Sequence, residues 1–159
     1  MKSLLKIVGG LLVCLIVLLG VLWVTGLPPQ GGRPGLWIKG NLVTTPVTDW
    51  SWTNQYPYIE LQTRTWYLLP HSVTINCLAY NGQLYLVSAY PSTTRHVWND
   101  YVMRDPHVRL KIGDRLYDRT VSVVTDPSVI AGVLQARRKK YPRLKALPNW
   151  TIYVFHVNG

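Results

Sequence analysis

Residues 7–24, IVGGLLVCLIVLLGVLWV, run for eighteen positions without a charge or a strongly polar side chain. As a helix rising about 1.5 Å per residue this segment is about 27 Å long, close to the ~30 Å hydrocarbon core of a bilayer. Trp23 falls where an aromatic ring is favoured at the membrane interface. Lys2 and Lys6 precede the run, and Gly26, Pro28 and Pro29 end it. It exceeds the roughly 7–15 apolar residues of a secretory signal core, so residues 1–25 read as an uncleaved transmembrane anchor. The small residues around Val24-Thr25-Gly26 leave signal-peptide cleavage as the alternative. Cys14 follows the bulky Val13, which argues against a lipoprotein signal and for an apolar helix residue. The flanking cations are Lys2, Lys6 and the amino terminus on one side and Arg33 and Lys39 on the other. They predict a single-pass protein with its amino terminus in the cytoplasm and its domain on the outer face.

Residues 26–35 are rich in Gly and Pro and read as a short linker. Residues 36–159 then suit one compact domain, and no internal repeat divides them. Lysine and arginine number 17 against 7 acids, giving a formal charge of +10. A domain this basic is drawn to anionic headgroups and to small phosphorylated or carboxylated molecules. Nucleic acid is not an expected partner, because the cations are scattered along strands without a nucleic-acid-binding motif.

The pattern is mostly strand. Residues 72–80 alternate as one nine-residue strand, Asn81-Gly82 supplies the residues of a tight hairpin turn, and Gln83 to Ala89 return. Val108, Leu110 and Ile112 alternate with Arg109 and Lys111, and Gly113-Asp114 turns the chain into Arg115 to Thr125, a second hairpin with a basic face. A short helix is expected over Arg95 to Arg104, ending before Asp105-Pro106. Asp126 and Pro127 form a helix start, followed by Val129, Ile130, Val133 and Leu134 at helical spacing. The run Arg137-Arg138-Lys139-Lys140 falls in the last turns of that helix, where cations complement the carbonyl end of the dipole, and no ligand role is assigned to it. Thr151 to Val157 reads as a closing strand. Crossover helices are missing between the first strands, which favours antiparallel pairing around a small barrel over a parallel sheet.

Cys77 is the only cysteine outside the apolar run, so the domain holds no disulfide, and its alternating position reads as core packing. The four histidines show no metal-ligand spacing and no acid cluster beside them, so no metal is predicted. No nucleophile-elbow motif is present, which disfavours hydrolysis. Trp50, Trp52, Tyr56 and Tyr58 cluster in one segment as a membrane-facing rim, a dimer contact or a barrel cap.

The stretch from about Arg64 to Tyr141 resembles the split β-barrel proteins that include deazaflavin-dependent nitroreductases and pyridoxamine-phosphate-oxidase-like flavin binders. The residues carrying the resemblance are NGQLYLVSAY (81–90), the loop from Pro91 to Trp98, WNDYVMRDPHVRLKIGDRLY (98–117) and VVTDP (123–127). The resemblance implies a mainly β fold, an antiparallel split β-barrel with two helices after the transmembrane helix. It also implies a bound flavin mononucleotide or deazaflavin and a homodimer. At the positions corresponding to the family's phosphate-holding segment, Arg64, Thr65 and Ser72 are the implied contacts. At the cofactor rim they are Thr93, Thr94, Arg95 and Trp98, and Arg64 and Arg95 are expected to line one anion pocket. The family's glycines are absent from both places, where close backbone approach to a ring or phosphate would use them.

Two functions follow. One is a membrane-anchored oxidoreductase that reduces a small substrate such as a quinone or nitro compound. The other is a non-catalytic tethered barrel that binds an anionic ligand, a lipid or a protein partner. Fold alone does not choose between them.

Overall fold

A computed structural model describes residues 2–67, 69–144 and 149–159. The chain begins with α1 (Lys2–Thr25), a helix with no buried residue and a mean hydropathy of 3.0, long and apolar enough to cross a membrane. After it come β1 (Asn41–Leu42), a 3-10 helix (Ser51–Gln55), β2 (Ile59–Thr63), β3 (His71–Ile75), β4 (Cys77–Tyr80) and β5 (Gln83–Pro91). Then follow α2 (Val97–Arg104), β6 (His107–Ile112), β7 (Arg115–Val123), α3 (Pro127–Lys140) and β8 (Trp150–Asn158).

The strands form one sheet in the order β3-β2-β6-β7-β8-β5-β4, antiparallel throughout, with β1 added in parallel to β7. The sheet curls so that its two end strands, β3 and β4, are consecutive in the chain and separated only by Asn76. The sequence pattern predicted one strand over residues 72–80; instead it changes partner at Asn76, from β2 to β5. Alternation persists on both sides of the break, so periodicity could not reveal it.

The β4–β5 hairpin turns where expected, with Asn81 and Gly82 at φ of 50° and 76°. Two consecutive left-handed residues match the right-handed twist of paired strands, and Asn-Gly tolerates them best. The β6–β7 hairpin also forms as predicted, from Ile112↔Arg115 to His107↔Thr120. The helix expected from Arg95 begins at Val97, because His96 stays extended, at φ −89° and ψ 101°. It ends at Arg104, ahead of Asp105-Pro106. The start of α3 is capped as its sequence implies: the Asp126 carboxylate accepts from Ser128 N at 2.8 Å.

Strand alternation builds two cores. Leu84, Leu86, Leu110, Phe155 and Val157 point into the barrel with Ile59, Leu61 and Trp98. Tyr85, Val87 and Val154 point outward and are covered by Val133, Ile130 and Leu134 of α3. The 3-10 helix caps one barrel end. Trp50 and Trp52 pack on Tyr117 at ring separations of 5.2 and 6.1 Å, and Tyr56 meets Trp52 edge-on at 6.1 Å. Of the three roles open to that aromatic cluster, Trp50, Trp52 and Tyr56 take the barrel cap, while Tyr58 stays exposed.

Residues 26–35 return to the domain rather than leaving it freely. Leu27 N donates to Trp37 O, and Gly35 and Ser72 exchange two backbone hydrogen bonds at 2.8 and 3.0 Å, on the edge of β3. A Cβ at Gly35 would lie 2.3 Å from Leu27 O and 2.6 Å from Pro28 C, so only glycine allows this crossing.

Leu86 is fully buried at the centre of the barrel core. Leu86→Ala is expected to cost about 2–5 kcal/mol, as large-to-small core changes do. Urea unfolding of the two proteins measures it, and an unchanged midpoint would show that the barrel interior is not the main source of stability.

Candidate functional site

The partner change at Asn76 opens the sheet. β4 pairs with β5 only as far as Cys77↔Leu86, so Val87 to Pro91 of β5 lack a neighbour on that side among the described residues. The facing edge of β3 is bridged by Gly35 at Ser72 alone. Between the two edges lies a cavity of about 260 Å3. Its walls are Thr74 and Asn76 of the β3 side, Ser88 of β5, His96 and Trp98 at the start of α2, and Arg137 of α3. Gly31, Gly32 and Arg33 from the segment after α1 close it.

The electrostatics of this split cavity have one sign. Arg33 and Arg137 line it, and no aspartate or glutamate does. Arg137 is only 8% exposed, and its Nε has no hydrogen-bond partner among the described residues. Burial presses against its charged form, and the Tyr141 hydroxyl opposes this only in part. A buried guanidinium without a carboxylate is costly and favours an anion that would pair it. The Asn76 Nδ2 group is a second buried donor without a hydrogen-bond partner among the described residues.

A polar chain links two residues of the cavity wall, Ser88 and His96, to Asn99 of α2. Asn99 Nδ2 donates to Ser88 Oγ at 3.0 Å, and Ser88 Oγ lies 3.0 Å from His96 Nδ1. The Ser88 hydroxyl, with one proton and two lone pairs, can accept from Asn99 and still pair with His96 Nδ1 in either direction. Partial desolvation pushes the His96 pKa below its ordinary 6.5, which favours the neutral imidazole. The Tyr90 ring sits 4.5 Å from the imidazole.

Beside the cavity the end of α3 is fastened over the strand break. Lys140 Nζ donates to Cys77 O at 2.8 Å, and the Tyr141 hydroxyl lies 2.7 Å from the same oxygen and 2.8 Å from Pro57 O. Burial pushes the Tyr141 pKa up to about 12 and lowers that of Lys140. Cys77 is buried, and desolvation raises its pKa despite Lys140 at 3.8 Å, so the thiol stays protonated and packs as a small hydrophobe. Among the described residues no group of three His, Cys, Asp or Glu side chains is placed to hold a metal ion.

The residues expected at a cofactor site are dispersed. Trp98 lines the split cavity and also anchors α2 in the core, 5.5 Å from Phe155. Ser72 is fully buried at the Gly35 crossing, with its Oγ unpaired. Thr65 Oγ1 is turned to Leu69 O, and Thr94 Oγ1 donates to Pro91 O at 2.9 Å, so both hydroxyls hold their own loops. Thr93 is exposed. Among the described residues Arg64 and Arg95 line no common cavity. Arg64 lines a separate cleft, and Arg95 is engaged by Asp100 at 2.7 Å. The sequence reading missed Arg33, Asn76 and Arg137. Arg137 was legible, since it continues the apolar stripe of Ile130 and Val133 at a spacing of four.

No protein-family model and no curated protein sequence matches the chain. Solved structures do. An F420-H2-dependent reductase superposes with a TM-score of 0.52 at 19% identity, over 65% of this chain and 95% of that one. A candidate pyridoxamine 5′-phosphate oxidase from Listeria innocua gives 0.50 at 17%, over 67% and 88%. A structure described as a domain-swapped dimer gives 0.54 at 20%, over 65% and 81%. The domain is a split β-barrel. The resemblance read from residues 64–141 therefore holds at the level of the fold.

The half-buried His71 has its pKa lowered by desolvation as well. Both His71 and His96 favour the neutral form in the fold, so they bind fewer protons than in the unfolded chain. Stability is expected to fall as pH drops below about 6.5 and on through the two folded pKa values. Proton NMR titration of the His96 ring should give a midpoint below 6.5; a midpoint above it would contradict the neutral Ser88–His96 arrangement.

Proposed function

We propose that this chain is a membrane-anchored split-barrel oxidoreductase that holds a phosphate-bearing flavin-type cofactor, flavin mononucleotide or a deazaflavin, in the cavity between β3 and β5. The observation that carries the reading is the buried Arg137, whose Nε has no partner among the described residues, lining a cavity to which no described carboxylate belongs. Its donor set fits an anionic, oxygen-rich group: two guanidinium groups, the Asn76 amide and the free backbone edges of two strands. Its 260 Å3 lies just below the ~300–1,000 Å3 of sites that enclose a whole ligand, which fits the anionic end of the cofactor with the rest extending outward. A second copy of the chain would cover that outward part, in keeping with the homodimer that the family resemblance implies.

The cofactor, once bound, supplies the hydride or electrons for a small oxidised substrate such as a quinone or nitro compound. The protein's share is positioning. Arg137 and Arg33 hold the anion, and Trp98 offers an aromatic face at the start of α2. Neutral His96, held by Ser88, adds an imidazole to the cavity wall. The basic surface raises the local concentration of anionic molecules. We further propose that α1 remains uncleaved and that the domain lies on the outer face, on the strength of the length of the apolar run and of Lys2 and Lys6.

Titration of the detergent-solubilised full chain with flavin mononucleotide or deazaflavin, followed by absorbance, tests the cofactor reading. Arg137→Gln is expected to weaken binding by about tenfold, the loss typical of a charge-assisted hydrogen bond. Arg138→Gln on the exposed side of α3 should bind like the parent. Parent protein that binds neither cofactor would refute the assignment, as would Arg137→Gln binding as tightly as the parent.

A further inference from the structure

The split cavity has one wall that is held unlike the others. β3 and β5 are fixed in the sheet by β2 and β8, Trp98 is anchored in the barrel core, and the end of α3 is fastened to Cys77 O by Lys140 and Tyr141. The remaining wall is Gly31, Gly32 and Arg33, the tip of a turn in which Gln30 N donates to Arg33 O at 3.2 Å and Arg33 N to Gln30 O at 3.0 Å. Among the described residues these are the only hydrogen bonds that residues 30–33 make, and none reaches β3, β5 or α3. The neck of the turn is secured on both sides. Pro29 and Gly35 are buried, Leu36 N donates to Leu27 O at 2.7 Å, and Gly35 and Ser72 exchange their two backbone bonds. Residues 30–34 between them are exposed.

Crowding does not account for the two glycines at the tip, since a Cβ at either would meet nothing within 4 Å. Gly31 has a φ of 58°, which glycine adopts without penalty, whereas Gly32 takes no left-handed φ and is under neither demand. A Gly-Gly tip on a fastened neck, with no bond to the barrel, opens at small cost in the manner of a lid. Opening is also what the cavity requires. Ser88 and Arg137 line it but are only 2% and 8% exposed, so an anion as large as phosphate reaches them only when a wall moves. Arg33 rides on the movable wall and Arg137 sits on a fixed one, and no described carboxylate belongs to the lining.

We propose that the Gln30–Arg33 turn is the gate of the split cavity, lifting on its fastened neck to admit a small anion, and that Arg33 selects for negative charge at entry. The gate rests on the reading of this cavity as an anion site and deepens it, because it concerns how the site is reached, whichever anion occupies it. It also puts access to the cavity under the control of the segment that leaves α1, since the neck begins at Leu27, two residues beyond the helix.

The test needs no cofactor, so it stands or falls apart from the flavin titration. Ser88→Cys places a thiol on the cavity wall of the full chain carrying Cys14→Ala, in non-ionic detergent. Its modification by two methanethiosulfonates, one ending in a sulfonate and one in a trimethylammonium, is timed by mass spectrometry, and each rate is divided by that on free cysteine. Both reagents attack the same thiolate, so their ratio is free of its pKa. Buried Cys77 stays in place as the control for unfolding. The sulfonate is expected to react about tenfold faster, the scale on which a cleft of one sign concentrates the opposite charge. Arg33→Gln should lower that preference about threefold, as the loss of one charge near the entry, and Arg138→Gln should leave it unchanged. Deleting Gly31 and Gly32 should speed both reagents at least about tenfold with Cys77 still unmodified, because a closed turn leaves the open state at ~10% or below. Equal rates for the two reagents would overturn the proposal, as would an undiminished preference in Arg33→Gln or parent rates in the deletion. So would acceleration at position 88 only together with Cys77, since the barrel and not the turn would then be admitting the reagent.

Discussion

One strand that serves two partners governs this molecule. β3 and β4 would be a single strand were it not for Asn76, where the chain stops pairing with β2 and starts pairing with β5. Because the two ends of the sheet are thereby joined through one residue, the sheet must curl until its edges approach. The edges meet on one side of Asn76 and stay apart on the other. The barrel and its opening are thus one event in the backbone, and the cavity needs no loop of its own. Two of its walls are therefore the strand edges of β3 and β5, which are better fixed than loops.

Such an opening leaves backbone groups and polar side chains without neighbours, and the chain compensates by packing cations and amides into it. Arg137 reaches the cavity from outside the barrel because α3 crosses the outer faces of β4, β5 and β8 with Val133 buried beneath it. Lys140 and Tyr141 then fasten the end of the same helix to the carbonyl of Cys77, the first residue after the break. One helix therefore closes the fault in the sheet and supplies its charge. The two tasks are linked, so a change in the last turn of α3 would act on stability and on anion binding together.

What the sequence revealed and what it hid divide by range. The hairpins at Asn81-Gly82 and Gly113-Asp114, the Asp126-Pro127 cap and the apolar helix were all legible, because each depends on residues within a few positions of one another. The break at Asn76 was not, since alternation runs through it unaltered and only a distant strand decides the partner. The start of α2 moved from Arg95 to Val97 for a similar reason: His96 is held extended beside Ser88, a contact from another strand. The candidate site fared worst. Thr65 and Thr94 carry the right chemistry for a phosphate but spend it on their own loops, and Arg95 spends its charge on Asp100. Arg137 was set aside because a basic run at a helix end has a ready explanation in the dipole, although its place on the stripe of Ile130 and Val133 marked it as inward-facing.

The segment after α1 ties these features to the apolar helix. A Gly- and Pro-rich stretch of this length could have been a loose tether, leaving the domain to tumble well clear of the bilayer. Instead it doubles back at once, pairs with its own continuation through Leu27, Leu36 and Trp37, and then lies on the edge of β3 through Gly35 and Ser72. A residue with a Cβ at position 35 would collide with Leu27 and Pro28, so the path depends on that glycine. Two consequences follow from the same few hydrogen bonds. Arg33 is carried to the wall of the split cavity, and the barrel is fastened at the end of α1. The segment that follows α1 is in this way a structural member of the barrel, and it sets where Arg33 lies.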